Sequence, residues 1–432
     1  METTTIALPT PHSTRLFPRL IAFTLAMSLL DFYRGWRVLF FFLLGAWLVE
    51  KWWVRQLRGG LRLRRETRFT WAQVGDSIEE RFTLENHTFV PALWVEVRDQ
   101  STFLRAPQSR VTGVPGRGRA RWTVRHTCTR RGLFTLGPTT VATGGPLGLL
   151  PLRLTFPEYR TLLVTPPVVP LPPIAIAAGG RAGRGRARVA ALEPTVSAAG
   201  VRPYAPGESM RHVHWPTSAR RDALYVRRFE STPSSDWWLL LDLEARAHIE
   251  EGEASTLEYA ITLTASLAAR GLAEGHAVGL SARGRKLVWL PPAGSALQRQ
   301  RILHHLALVE AGEYPLRLIL ARLQKALPSD TSLVLITANA EGEWLPALLP
   351  LVRRGLRPTV LLVDGRDFGG DAAPEKVLSA LAALGIRAHL IPRSLLERPE
   401  AAPGRGGRWQ WKTTPLGRAI PDMPEDIRWR EA

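Results

Sequence analysis

At 432 residues, 45% apolar and 22% charged, the chain is a folded protein of two or three domains, not a disordered one. Its formal net charge of +19 rests almost wholly on arginine, which favours an anionic partner (a lipid surface, a nucleic acid or an acidic protein face) unless it reflects an arginine-rich genome. A single cysteine, Cys128, excludes an intrachain disulfide and a cysteine-rich metal site, and fits a reducing compartment.

Residues 1–15 form an N-terminal tail. Residues 16–54 then hold two apolar blocks, Leu16 to Tyr33 and Gly35 to Trp53. Each is about 18 or 19 residues, roughly 27–28 Å as helix, close to a hydrocarbon core of about 30 Å. Arg19, Asp31, Arg37 and Glu50 stand near the block ends, where charges snorkel, and Tyr33, Trp36, Trp47, Trp52 and Trp53 suit an interface. The pattern predicts a transmembrane helical hairpin with its tip at Arg34-Gly35, in contact with membrane lipids. The alternatives are a signal peptide, for which no small-residue cleavage site follows, and a buried soluble hairpin. Lys51, Arg55, Arg58, Arg62, Arg64, Arg65 and Arg68 follow the second block. The positive-inside bias therefore predicts a two-pass protein of the bacterial cell membrane with a cytoplasmic body.

From 60 to 166, short alternating runs (SIEERFTLENH, LWVEVRD, RARWTVRHTCT, RTLLVTP) are separated by turn residues. Alternation over five to eight positions reads as half-buried strands, and their spacing predicts a small β-sandwich-like domain. It shows no catalytic constellation and reads as a spacer or docking module. Residues 167–190 are rich in proline, then in glycine and arginine, and read as a connector. Their Gly-Arg part is of a kind that touches nucleic acid, but no Gly-Lys-Ser/Thr follows to make a phosphate-binding loop.

Residues 191–235 contain the most distinctive stretch, Arg202 to Glu230, with six arginines, a Pro206-Gly207 turn and His214-Trp215. Arg202, Tyr204, Pro206, Gly207, Glu208, Arg211, Val213, Trp215, Ser218, Ala219 and Arg220 match R-x-Y-x-P-G-[DE]-x-x-R-x-[IV]-x-W-x-x-[ST]-A-R. This resembles the signature of the bacterial "domain of unknown function 58" family. Upstream, Arg131-Gly132-Leu133-Phe134 running into Leu136-Gly137-Pro138 resembles that family's strand-turn. Gly145-Pro146-Leu147-Gly148-Leu149 resembles its DP-[FL]-GL turn, with Gly145 in place of the usual aspartate.

The proline residues forbid a continuous helix through 203–207, and Leu224-Tyr225-Val226 has strand character. Arginine forks suit carboxylates and phosphates. Two readings follow for Arg202, Tyr204, Pro206, Gly207, Glu208, Arg211, His214, Trp215, Ser218, Ala219 and Arg220. One is a docking or anion-binding surface. The other is structural, with arginines paired to Glu208, Asp222 or Glu230 and Trp215 filling a gap. His214, Ser218 and Asp222 recur every four residues, but a catalytic triad converges from separate segments around an oxyanion hole, so a cryptic hydrolase is the weaker expectation.

Residues 236–398 alternate strand and helix patterns. Strands are expected at Trp237 to Leu243, His276 to Ser281, Lys286 to Leu290, Ser332 to Thr337, Thr359 to Asp364 and Ala388 to Ile391. Helices are expected at Thr256 to Leu272, Ala296 to Glu310, Leu316 to Leu327, Trp344 to Arg354 and Pro374 to Leu384. The alternation predicts a doubly wound α/β sheet. Its order looks like a von Willebrand factor A-like domain, as the resemblance implies. Such domains often bind a divalent ion through D-x-S-x-S after the first strand. Here that stretch reads Asp242, Glu244, Arg246: the aspartate stays, both serines are gone, and a cation enters. Hard cations need oxygen ligands, so no metal and no cofactor are expected, and Asp242 and Glu244 are free to pair with arginines of the signature. Residues 399–432 form a polar tail.

The chain thus reads as multidomain and non-enzymatic, a membrane-anchored protein-interaction module. The resemblance implies action with a MoxR-type AAA+ ATPase in assembling or maturing other proteins. The alternative is an anionic-lipid or nucleic-acid binder.

Overall fold

Residues Leu16–Leu30 form α1 and Arg34–Gly60 form α2, which pack together as a helical hairpin. Asp31 closes the turn: one carboxylate oxygen accepts the Tyr33 N–H and the other the Trp36 indole N–H, both at 3.1 Å. The computed structural model describes residues 16–31, 33–67, 70–103, 108–177, 200–204, 214–221, 223–228, 236–249, 252–328, 331–396, 411–413 and 419–421.

The hairpin was expected, but its membrane crossing is overturned. Among the described residues, no helix is long and apolar enough to cross a membrane. Helix α1 has 15 residues, about 22 Å of rise, short of a hydrocarbon core of about 30 Å. Helix α2 has 27 residues but carries Arg34, Arg37, Glu50, Lys51, Arg55 and Arg58. Its second half is committed to protein: Glu50 and Leu57 are fully buried, and Trp53 donates its indole N–H to the Pro91 carbonyl at 3.1 Å. The two-pass topology and the cytoplasmic placement of the body, which rested on those crossings, fall with them. Many apolar side chains of the hairpin, Phe23, Phe41 and Phe42 among them, are exposed.

The chain divides into two compact units, Met1–Val169 with Leu303–Leu308 and Pro399–Ala432, and Pro170–Ile302 with Val309–Arg398. The first unit continues with β1 (Leu61–Thr67), β2 (Trp71–Gln73), β3 (Ser77–Asn86), β4 (Ala92–Asp99) and β5 (Gln108–Val114). After these come β6 (Arg119–Thr127), β7 (Gly132–Leu136), β8 (Thr139–Gly144), β9 (Pro151–Phe156) and β10 (Arg160–Thr165). They form three sheets, β1-β3-β6, β2-β10-β7 and β5-β4-β8-β9, where a two-sheet sandwich was expected. The departure has a clear cause. Short β2 pairs in parallel with β10, which also pairs with β7, and these strands enclose a small core of their own around Ile78, Cys128, Leu136 and Val164. The larger core lies between β1-β3-β6 and β5-β4-β8-β9 and takes in Leu57 of α2. Alternation does the sorting: in β1, Leu61, Leu63 and Arg65 point inward while Arg62, Arg64 and Glu66 face solvent.

The inward arginine needs partners. Arg65 is 4% exposed and donates to Glu80 at 2.7 Å, to both Asp99 oxygens at 3.1 Å and to Ser101 at 3.0 Å. It thereby ties β1 and β3 to β4 and the residues after it.

The second unit opens with β11 (Gly200–Pro203), α3 (Trp215–Arg221) and β12 (Tyr225–Arg228). Its main sheet comprises β13 (Trp237–Leu241), β14 (Val278–Arg283), β15 (Leu287–Ala293), β16 (Ser332–Thr337), β17 (Arg357–Val363) and β18 (Arg387–Ile391). Around it stand α4 (Thr256–Ala273), α5 (Ala296–Leu308), α6 (Leu316–Ala326), α7 (Leu345–Arg353) and α8 (Glu375–Ala383). The strand order is β15-β14-β13-β16-β17-β18, parallel except for β15. Helices α6, α7 and α8 bury Leu320, Leu348 and Leu381 against Leu240, Leu335 and Leu362 of one face. Helix α4 packs on β13, β14 and β16. Burial on both faces is why these strands read as continuous apolar runs rather than alternating ones. The described part of the proline-rich connector lies along this unit. Arg270 donates to the Pro172 carbonyl and the Ala177 N–H donates to Thr359 Oγ1, each at 2.9 Å.

Candidate functional site

In the main sheet the chain leaves β13 toward β14 and β15, then returns to β16 on the other side of β13. Ligands of doubly wound sheets bind at the carboxyl ends of strands where the order reverses in this way. Asp242 follows β13 at this point, and Thr337 closes β16 beside it. Asp242 is fully buried. One of its oxygens accepts the Thr337 hydroxyl at 2.7 Å and the other the Glu244 N–H at 3.0 Å. Thr337 Oγ1 in turn accepts the Asn339 N–H at 3.0 Å. Glu244 accepts the Leu316 N–H at the start of α6 at 3.0 Å. His248 Nε2 lies 3.1 Å from the Asp242 carbonyl oxygen, and its Nδ1 lies 3.3 Å from Thr256 Oγ1.

Burial pushes the Asp242 carboxyl up to about 6 against the lowering effect of its Thr337 hydrogen bond. Burial pushes His248 down to about 4. Burial thus shifts both groups toward the neutral form.

As a cation site this arrangement does not fit. Both Asp242 oxygens are occupied by N–H and O–H donors, the Glu244 carboxylate is turned onto a backbone N–H, and Arg246 is exposed. Among the described residues, Asp242 and Glu244 bond Thr337 and backbone N–H groups, and the side chains of Arg202 and Arg211 lie outside the described residues. Sequence reasoning found Asp242 and Glu244 but missed His248, Thr256 and Thr337. Thr337 carried a signal: it is the polar residue that ends SLVLIT, the strand paired with β13.

The signature folds as a small structure of its own. Strands β11 and β12 pair antiparallel, with Arg202 opposite Val226 and Pro203 opposite Tyr225. Between them stands α3, a helix that the turn-rich sequence did not announce. Ser218 fixes it: its hydroxyl accepts the Tyr225 N–H at 2.9 Å and donates to the His214 carbonyl at 3.1 Å. His214 donates its own backbone N–H to the Tyr225 carbonyl at 2.8 Å, and its ring Nδ1 lies 2.8 Å from Thr217 Oγ1. The Tyr204 N–H donates to the Leu224 carbonyl at 2.8 Å. Pro206, Gly207, Glu208 and Arg211 lie outside the described residues, as do Val213, Asp222 and Glu230.

The polar side chains of α3 therefore hold the element together, while its other residues face outward. Trp215 is 61% exposed. Pro216, Ala219, Arg220 and Arg221 are exposed as well. Ser218 is bonded to main chain, so it is not poised against His214 as a nucleophile.

Among solved structures, the chain is similar to the CARDB domain of the PF1109 protein from Pyrococcus furiosus, at 12% identity and TM-score 0.19 over 24% of this chain and 94% of that one. It is similar to a beta-glucosidase from Listeria innocua at 12% identity and TM-score 0.17, over 24% of this chain and 16% of that one. Likeness at that level assigns no fold. In sequence it is 27% identical over 197 residues to "Uncharacterized protein YeaD" of Bacillus subtilis (strain 168), which covers 45% of this chain. The chain spans about half the length of that relative, 46%. Residues 200–367, which run from the first strand of the signature past β17 of the doubly wound sheet, match the family described as "Protein of unknown function DUF58".

Proposed function

We propose that this chain is a non-enzymatic protein-interaction module that docks its partner through the outer face of α3. The partner class that the resemblance implies is a MoxR-type AAA+ ATPase, and the process is assembly or maturation of other proteins. The observation that carries the reading is Trp215, a large aromatic side chain 61% exposed on a helix otherwise fixed by hydrogen bonds to its own strand. Burying tryptophan yields more contact energy than most side chains, and tryptophan with arginine dominates interface hot spots. Arg220 on the same helix supplies the second of that pair. The α/β unit, read as von Willebrand factor A-like, serves as the rigid body that presents α3. At its switch point the polar groups are spent on one another rather than on a ligand.

The test is a titration of the purified full chain with the MoxR-type ATPase of the same genome. Trp215→Ala is expected to weaken binding by about 2 kcal/mol or more, with unfolding unchanged. Equal affinity for wild type and variant overturns the docking site.

A further inference from the structure

The β1-β3-β6 sheet turns one face to the core, and its other face carries no apolar side chain. The register sets Arg64, Thr83 and Arg121 side by side in one row, with Glu66, Arg81 and Thr123 in the next. Thr83 alternates with the core residues Phe82 and Leu84 and so points outward, yet it is only 5% exposed. Its row neighbours, Arg64 and Arg121, have the long stems that can cover it. Strands lie about 4.8 Å apart, so the two arginines start about 10 Å apart with a small side chain between them. Arg81 approaches on the diagonal, within reach of a long side chain. Arg81 and Arg121 make no ion pair among the described residues. Arg64 meets Glu66 at 3.4 Å, with side chains 76% and 46% exposed, a weak pair.

We infer that this face is a docking surface for an Asp/Glu-rich segment of a partner protein, with one carboxylate seated over Thr83 among Arg64, Arg81 and Arg121. Like charges held on neighbouring strands repel, and a bound carboxylate relieves that repulsion while accepting charge-assisted hydrogen bonds. Glu66, Glu79 and Glu85 interrupt the same face. A phosphate backbone, charged at every step, meets those carboxylates. A protein segment can leave the opposing positions uncharged. This surface belongs to the first unit and does not depend on docking through Trp215.

The experiment is fluorescence anisotropy of the full chain with a labelled Asp/Glu-rich peptide. Single-stranded DNA of equal charge serves as the second probe. Arg64→Gln/Arg81→Gln/Arg121→Gln is compared with the charge-matched Arg299→Gln/Arg301→Gln/Arg317→Gln, which alters exposed arginines elsewhere. The first variant is expected to lose about tenfold or more in peptide affinity, and the second to stay near wild type. If the first variant loses its far-UV signal, Arg121→Gln alone repeats the comparison with the same expectation in direction. The inference is overturned if wild type does not bind the peptide or if both variants lose affinity equally. Tighter binding of the DNA, lost in the first variant, also overturns it.

Discussion

The carboxylate of Glu50 occupies the space into which a side chain at Gly145 would grow: a Cβ at 145 would sit 2.5 Å from Glu50 Cδ. From there Glu50 accepts the N–H groups of Leu147, Leu149 and Leu150, at 3.1, 3.0 and 3.3 Å. An aspartate at 145 would bond the N–H two residues on, as aspartates do in turns. Here Glu50 of α2 supplies that carboxylate from a distance, and the loop accommodates it by having glycine. Glu50→Ala is expected to cost about 1–3 kcal/mol, because three half-buried N–H groups lose a charged acceptor. Gly145→Asp alone is destabilising, since two carboxylates contend for one nest. In the double variant, the introduced aspartate takes over part of the role and the two costs do not add. Urea unfolding of the four proteins measures the coupling; strict additivity contradicts the exchange.

Arg65 is another buried charge in this unit, and it holds two buried carboxylates, Glu80 and Asp99, at once. Arg65→Met leaves Glu80 and Asp99 facing each other in the core. The expected loss is about 3–5 kcal/mol, as for other buried pairs broken on one side. Replacing all three residues with apolar ones of similar volume is expected to recover much of it. Thermal unfolding checks both; a single variant near wild-type stability contradicts the network's role.

At the switch point, Asp242 and His248 are expected to give stability opposite pH slopes. Asp242 rises from 3.8 to about 6 on folding. Its contribution is full below pH 4 and is lost as pH rises through 6. His248 falls from 6.5 to about 4, so its contribution is full above 6.5 and is lost as pH falls through 4. Each effect is on the order of 2–3 kcal/mol, and in wild type they nearly cancel. Stability of Asp242→Asn should therefore climb between pH 4 and 6.5, while that of His248→Gln should fall between pH 4 and 6. Identical profiles for the two variants contradict the assignment.

Ser218 is expected to act on structure alone. Ser218→Ala removes the acceptor of the Tyr225 N–H and should cost about 1–2 kcal/mol in the second unit, with partner affinity falling only as α3 loosens. Trp215→Ala should do the reverse. Unfolding and binding measured on both variants separate the roles; an equal effect of both changes on binding and stability counts against the division.

The doubly wound sheet was legible because its strands are buried on both faces. Trp237 to Leu241 and Ser332 to Thr337 show as unbroken apolar runs, and Ser255 caps α4 through the Glu258 N–H. The hairpin was legible as two helices, but hydropathy does not record that Glu50 and Leu57 face protein. The same apolar block fits a bilayer or a β-unit, and only the contacts of α2 decide. Arg65 read as one of a run of juxtamembrane basic residues. Its inward direction follows from strand parity with Leu61 and Leu63, a signal present in the sequence but hidden by charge. Helix α3 was missed because the bond that holds it, Ser218 to Tyr225, spans seven residues and is not a feature of helix propensity.

The central claim is that α3 presents Trp215 to a partner. A photoreactive phenylalanine derivative, which keeps a large aromatic ring at position 215, with one at the exposed Trp71 as control, tests this directly in native cells. The account predicts a discrete cross-link to a MoxR-type ATPase from position 215, absent from position 71 and lost when Arg220→Glu is added. No product from position 215, or the same products from both positions, would contradict it.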